Sequence, residues 1–208
     1  MLKTSGRGFL LLALVSCLFF LVSCMNLEDI SEVRYRLRVE AEGGVQEGHL
    51  FLQITPEAED KYKVKVDFSL GDENFSTTFA VAEDDLGSVF GSLLISNPSL
   101  GKILGVLSAS QALLLPALLS GKELEEGFEW REKSEGKETV ITVPSSETRF
   151  GKEALWVEIQ RDGQKVLRGL FEREEYFPLV LDIQDKETLE ESQKSLFIEA
   201  ENVAWKSE

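Results

Sequence analysis

Histidine occurs once in the 208 residues and cysteine twice, at positions 17 and 24. Past residue 24 there is therefore no thiol nucleophile, no disulfide and no thiolate metal site. The single histidine, His49, heads an apolar strand, where a surface or edge imidazole is the ordinary outcome. It completes neither a Ser-His-Asp nor a Cys-His constellation and supplies no zinc set. Basic charge is scarce as well: 22 lysines and arginines stand against 37 acids, a formal net charge of −15. Such a chain has little with which to neutralise phosphates, which argues against nucleic acid as a partner. It is equally unsuited to being held as a peripheral domain by anionic lipid heads. No glycine-rich phosphate loop is present; Gly101-Lys102 lacks the flanking pattern of a P-loop. Acidic pairs are plentiful, as at Asp84-Asp85, Glu125-Glu126 and Glu174-Glu175. None has EF-hand spacing, and no two are set apart as a glycosidase pair. These absences predict a protein that is not an enzyme and needs no cofactor or metal.

The N-terminal end reads as an export leader. Lys3 and Arg7 precede an apolar stretch from Phe9 to Val22, the shape of a secretory h-region. It ends in Leu21-Val22-Ser23-Cys24, with an aliphatic residue at −3, a small one at −1 and then the cysteine. This resembles the lipobox of bacterial lipoprotein signal peptides. The resemblance implies cleavage before Cys24, diacylglycerol on its sulfur and often acylation of the new amine, with palmitate as an expected chain. Leu14-Val15-Ser16-Cys17 repeats the pattern, but its h-region would be only about eight residues long. An uncleaved N-terminal anchor helix is the other reading. Residues 1–23 are thus expected to be a signal peptide, 24–31 a lipidated tether and 32–208 one domain. Loss of Lys3 and Arg7 leaves 20 basic residues against 37 acids, a net −17. A domain of this size buries roughly 70% of its unfolded surface. Two acyl chains anchor firmly where one is marginal, so the expected location is extracytoplasmic, on the cell membrane or outer membrane. Met25, where an aspartate would stand for inner-membrane retention, favours outward sorting by the enterobacterial rule.

From Ser31 the pattern has period two. Val33, Tyr35, Leu37, Val39 and Ala41 alternate with Arg34, Arg36, Arg38 and Glu40, a half-buried strand. Gly43-Gly44 turns into a strand through Leu50, Leu52 and Ile54, ending at Pro56. Tyr62, Val64, Val66, Phe68 and Leu70 alternate with lysines and Asp67, and Phe75 to Val81 follows. After Gly127 come Phe128–Glu132, Thr139–Val143, Thr148–Phe150 and Ala154–Gln160. Asp162-Gly163 joins the last of these to Lys165–Glu172 as a hairpin. Leu179–Ile183 opens on Pro178, residues 185–194 form a charged loop or short helix, and Leu196–Trp205 closes the chain.

Between the two groups of strands, residues 86–119 hold one charge, Lys102. Asp84 and Asp85 suit a helix start, Asn97-Pro98 an N-cap with proline at N1, and Gly121 a helix end. Helices are predicted at about 84–96, 98–108 and 109–120. The fold class is therefore mainly β: a curved antiparallel sheet or half-open barrel of about ten strands. A two- to three-helix insertion at about 84–121 covers its concave face. The insertion has three readings: a plug that forms the core, one wall of a cavity for an apolar ligand, or a membrane segment. The last rests on the 19 uncharged residues Ile103–Gly121. Trp130 shares parity with Phe128 and faces the core, whereas Trp156 and Trp205 are expected as core or edge cover.

Gly151-Lys152-Glu153-Ala154-Leu155-Trp156-Val157-Glu158, then Asp162-Gly163, then Phe177-Pro178-Leu179 resembles the envelope lipoprotein carriers of the LolA/LolB and mycobacterial LppX/LprG kind. The resemblance implies a half-open antiparallel barrel with helices over its mouth, holding lipid acyl chains. Strand parity and position in the insertion, not the resemblance, select the cavity walls: Val33, Tyr35, Leu37, Val64, Val66, Phe68, Leu86, Phe90, Leu93, Ile103 and Leu107. The expected function is a lipid-anchored envelope protein that carries an apolar ligand such as acyl chains. The alternative is a structural or assembly lipoprotein with a solid core that binds a protein partner.

Overall fold

A computed structural model describes residues 30–58, 61–82, 96–119, 121, 123–134, 136–184, 189 and 193–205. The expected signal peptide, Cys17, Cys24, the wall residues Leu86, Phe90 and Leu93, and nearly all of the helix expected at 84–96 lie outside the described residues.

Ten strands form one antiparallel sheet. They are β1 (Ile30–Ala41), β2 (Gly44–Ala58), β3 (Lys61–Leu70), β4 (Glu73–Ala82), β5 (Glu129–Ser134), β6 (Lys137–Arg149), β7 (Lys152–Arg161), β8 (Gln164–Glu172), β9 (Pro178–Ile183) and β10 (Gln193–Trp205). Their order is β4-β3-β2-β1-β10-β9-β8-β7-β6-β5. All but one of the neighbours are also successive in sequence, so short hairpins do most of the work. The exception is β1 against β10, which joins the two ends of the chain. The sheet stays open: its edges are β4 and β5, consecutive strands linked by the insertion. The Asp162-Gly163 hairpin forms as expected, with φ of +51° and +76°, the positive values that a two-residue turn of the right twist demands.

Two readings of the sequence are corrected. The insertion does not show the expected helix break near residue 108. One helix, α1 (Pro98–Ala112), runs through it, and a single turn, α2 (Leu115–Leu118), follows. The Ser110 hydroxyl donates to the Leu107 carbonyl and so is satisfied inside the helix. Gly121 ends this segment at φ +74°, its N–H donating to the Leu118 carbonyl. The second correction joins Thr139–Val143 and Thr148–Phe150 into the single strand β6. A register shift between Thr142 and Ser145 accommodates Pro144, whose missing N–H would break a regular ladder. β1 begins at Ile30, the first described residue.

One face of the sheet is mainly apolar. Val39, Leu196, Ile183, Leu167, Ile159, Ile141 and Trp130 stand in register across seven strands. Phe75, Phe68, Leu50, Tyr35 and Ala200 make a second row across the other end. At about 4.8 Å per strand a flat ten-stranded sheet is about 43 Å wide, while α1 is about 22 Å long and 10 Å across. A helix of that size cannot cover a flat face, yet Phe68 on β3 and Ile141 on β6 are both buried. The sheet therefore curls around its own apolar face. Register shifts in the β1–β10, β2–β3, β6–β7, β7–β8 and β8–β9 pairs supply the bends.

Candidate functional site

The concave face is built by parity. Val33 pairs with Leu52 and Leu52 with Val66; Tyr35 pairs with Leu50 and Leu50 with Phe68. The expected walls Val33, Tyr35, Leu37, Val64, Val66 and Phe68 thus share one face and are all buried in one apolar cluster. Ile103 and Leu107 join that cluster from α1, one turn apart and on the side that also buries Leu100. All eight described wall residues are therefore brought together.

Two polar groups enter this apolar interior. The Tyr35 hydroxyl, fully buried, donates to the Pro178 carbonyl at 2.8 Å, and its ring lies 6.2 Å from that of Phe177. Burial pushes the Tyr35 pKa well above the usual phenol value. Gln111 near the end of α1 is the second. Its amide nitrogen donates to the Tyr176 carbonyl at 3.1 Å, tying the helix to the residues before β9. Its amide oxygen is buried and meets no donor among the described residues. A buried acceptor left alone costs about 1–3 kcal/mol.

Asn97 caps α1 as its sequence predicts: its side-chain oxygen accepts the Leu100 N–H at 2.8 Å. The turn between β8 and β9 depends on Glu172, a buried carboxylate that accepts the backbone N–H groups of Glu174 and Glu175 at 3.1 and 2.8 Å. Nothing in the spacing marks Glu172 out from the acidic pair beside it.

The convex face is polar. A cleft of about 530 Å³ there is lined by Arg34, Arg36, His49, Phe51, Lys65 and Asp67, among others. Arg34 and Lys65 stand over the Phe51 ring at 5.3 and 5.5 Å. His49 is exposed and shares a hydrogen bond of 2.8 Å with the Ser69 hydroxyl. Hydrogen bonds from Lys65 and Ser76 hold the Asp67 carboxyl below the usual range. Farther along, Glu199 accepts from Arg149 and from Arg36 across the strands, and these bonds, Arg149's first, lower its pKa. Trp156 lies under Arg168 and donates to Glu147. Trp205 packs edge-on against Phe177 and donates to the Phe150 carbonyl. Both tryptophans lie on interior strands and are half-buried against the core.

Among the described residues no three metal-ligating side chains cluster and no helix is long and apolar enough to cross a membrane. No protein-family model and no curated protein matches the chain. Among solved structures it is similar to MucB in complex with MucA(peri), at 8% identity and TM-score 0.40, covering 92% of this chain. The chain spans 55% of the MucB chain's length. It is also similar to a β-barrel-like DUF1849 protein from Brucella abortus, at 9% identity and TM-score 0.36, covering 86% of this chain and 99% of the other. A third likeness is to a DUF1329 protein from Desulfovibrio piger, at 7% identity and TM-score 0.21, covering 93% and 92%. At such scores the likeness carries neither fold nor function over to this chain.

Proposed function

We propose that the chain is a lipid-anchored, extracytoplasmic carrier that shelters an apolar ligand, such as an acyl chain, against the concave face of its sheet. The observation that supports this most is the open sheet itself. Its edges β4 and β5 leave one seam, and the apolar insertion is the segment that links them. A ligand entering at the seam meets a mainly apolar face. Burial contributes about 0.8 kcal/mol per CH₂, so binding is passive and needs no catalytic group. The unpaired oxygen of Gln111 is suited to accept a hydroxyl or amide hydrogen from the ligand's polar end. Cys24, through its resemblance to the lipobox cysteine, would hold the domain at the membrane where such ligands reside.

Native mass spectrometry with lipid extraction, on the chain without its leader, tests the reading. Co-purifying lipid near one per chain is the expected result. Leu107→Trp, which fills space beside α1, should lower the lipid content while costing little stability. A loss of more than about 2 kcal/mol with lipid content unchanged is what overpacking a solid core produces, and it would overturn the carrier in favour of the assembly lipoprotein. Labelling with a palmitate analogue should mark the wild type and not Cys24→Ser.

A further inference from the structure

The two edges of the sheet are treated differently by the sequence. β5 is six residues long and carries Glu129, Arg131, Glu132 and Lys133; short and charged is how natural sheets blunt an edge. β4 is ten residues long, and its one charge is at its first residue, Glu73. From Phe75 to Ala82 it holds only serine, threonine, alanine, valine and phenylalanine. β3 lies along one side of it, and no described strand lies along the other. A strand in this position turns a row of backbone N–H and C=O groups outward, which is a template for another strand.

The surroundings of that edge specify what it fits. On the solvent face of β3, Lys61, Lys63 and Lys65 stand opposite Ala82, Ala80 and Thr78 of β4. Lys65 is held by Asp67. Lys61 and Lys63 are exposed and have no ion-pair partner among the described residues. Only two alanines stand between them and the open edge, too short to screen either charge. On the opposite face of β4, Phe75 and Phe79 are half-buried against the core, leaving apolar surface at the rim.

We propose that the open edge of β4 accepts an extended acidic segment of a partner protein as an added strand. Main-chain hydrogen bonds to β4 hold it, its residues of one parity pack beside Phe75 and Phe79, and acidic residues of the other parity face Lys61 and Lys63. A second copy of this chain fits less well, because β4 carries no acidic residue from Phe75 to Ala82 to meet Lys61 and Lys63. The inference does not rest on the carrier reading.

The test uses the full chain and a fluorescent peptide of β4's ten-residue length that alternates glutamate with valine. Fluorescence anisotropy should show saturable binding. The same peptide with alternate backbone nitrogens methylated keeps its side chains but loses ladder hydrogen bonds, and it should not bind. Lys61→Glu with Lys63→Glu should weaken binding about fivefold, the scale of two exposed ion pairs, with the thermal melt unchanged. Equal binding of the methylated peptide would overturn the proposal, since charge alone would then suffice. No peptide binding overturns it, whether the chain instead sediments as a dimer or takes up phosphatidylglycerol vesicles through the lysines. Lipid content measured on the same samples reads the carrier proposal separately.

Discussion

Gly48 shows how a single residue is constrained by a neighbour that its own sequence context does not reveal. It lies on the concave face of β2, paired with Leu37 on one side and Leu70 on the other. A Cβ placed there would stand 1.9 Å from the Ser69 carbonyl oxygen and 2.8 Å from the Leu70 Cα. Backbone cannot rotate out of the way as a side chain can. Gly48→Ala should therefore cost about 1–3 kcal/mol, read from the midpoint of urea unfolding. Gly169 meets side chains instead, since its Cβ would stand 2.5 Å from the ring of the fully buried Phe171. The row through Leu37, Ile198, Leu181 and Val157 is apolar everywhere except at these glycines. Parity alone therefore identifies the face but not which positions on it tolerate a side chain.

At the scale of elements, agreement depends on whether the determining interaction is local. The strands at 33–41 and 62–70 are legible because alternation on a half-wet face is visible within ten residues. The helix start is legible too, since Asn97-Pro98 carries its own cap. Asn97→Ala should remove the bond to the Leu100 N–H and cost about 1 kcal/mol. In a domain of this size that lowers the melting temperature by about 3 °C, measured by circular dichroism. The end of α1 is not legible, because residues 108–111 contain no breaker and the hydroxyl of Ser110 bonds within the helix. The length of β6 was equally hidden: Pro144 reads as an ending, but its partner β7 accepts a register shift there.

For the molecule as a whole, the closing contact joins residues that are far apart in the chain. β1 pairs with β10 along nearly its full length, and the Tyr35 hydroxyl reaches over to the Pro178 carbonyl. This gives the stability a defined dependence on alkaline pH. The Tyr35 pKa is raised by burial, so the folded state retains the proton longer than the unfolded chain does. Its contribution is fully present below about pH 10, the unfolded value, and is lost as pH rises through the folded value. Burial raises Tyr176 as well, which adds to the same limb. Tyr35→Phe should lower stability at neutral pH by about 1 kcal/mol through the orphaned carbonyl, and it should flatten the fall above pH 10. Urea unfolding at a series of pH values checks both, and an unchanged alkaline limb would refute the assignment to Tyr35.

The amino-acid sequence by itself determined the strand count to within one, the parity that collects Val33, Tyr35, Leu37, Val64, Val66 and Phe68, and the place of the insertion between the two groups of strands. Each is written in a pattern of two to fifteen neighbouring residues. Only the tertiary structure decided that the sheet stays open between β4 and β5, that Gln111 keeps an oxygen inside with no donor among the described residues, and that the lysines of β3 lie one strand from an edge along which no described strand runs. Those features arise where segments distant in sequence meet or fail to meet. A local pattern records which face a residue takes, but not which strand, if any, lies beside it.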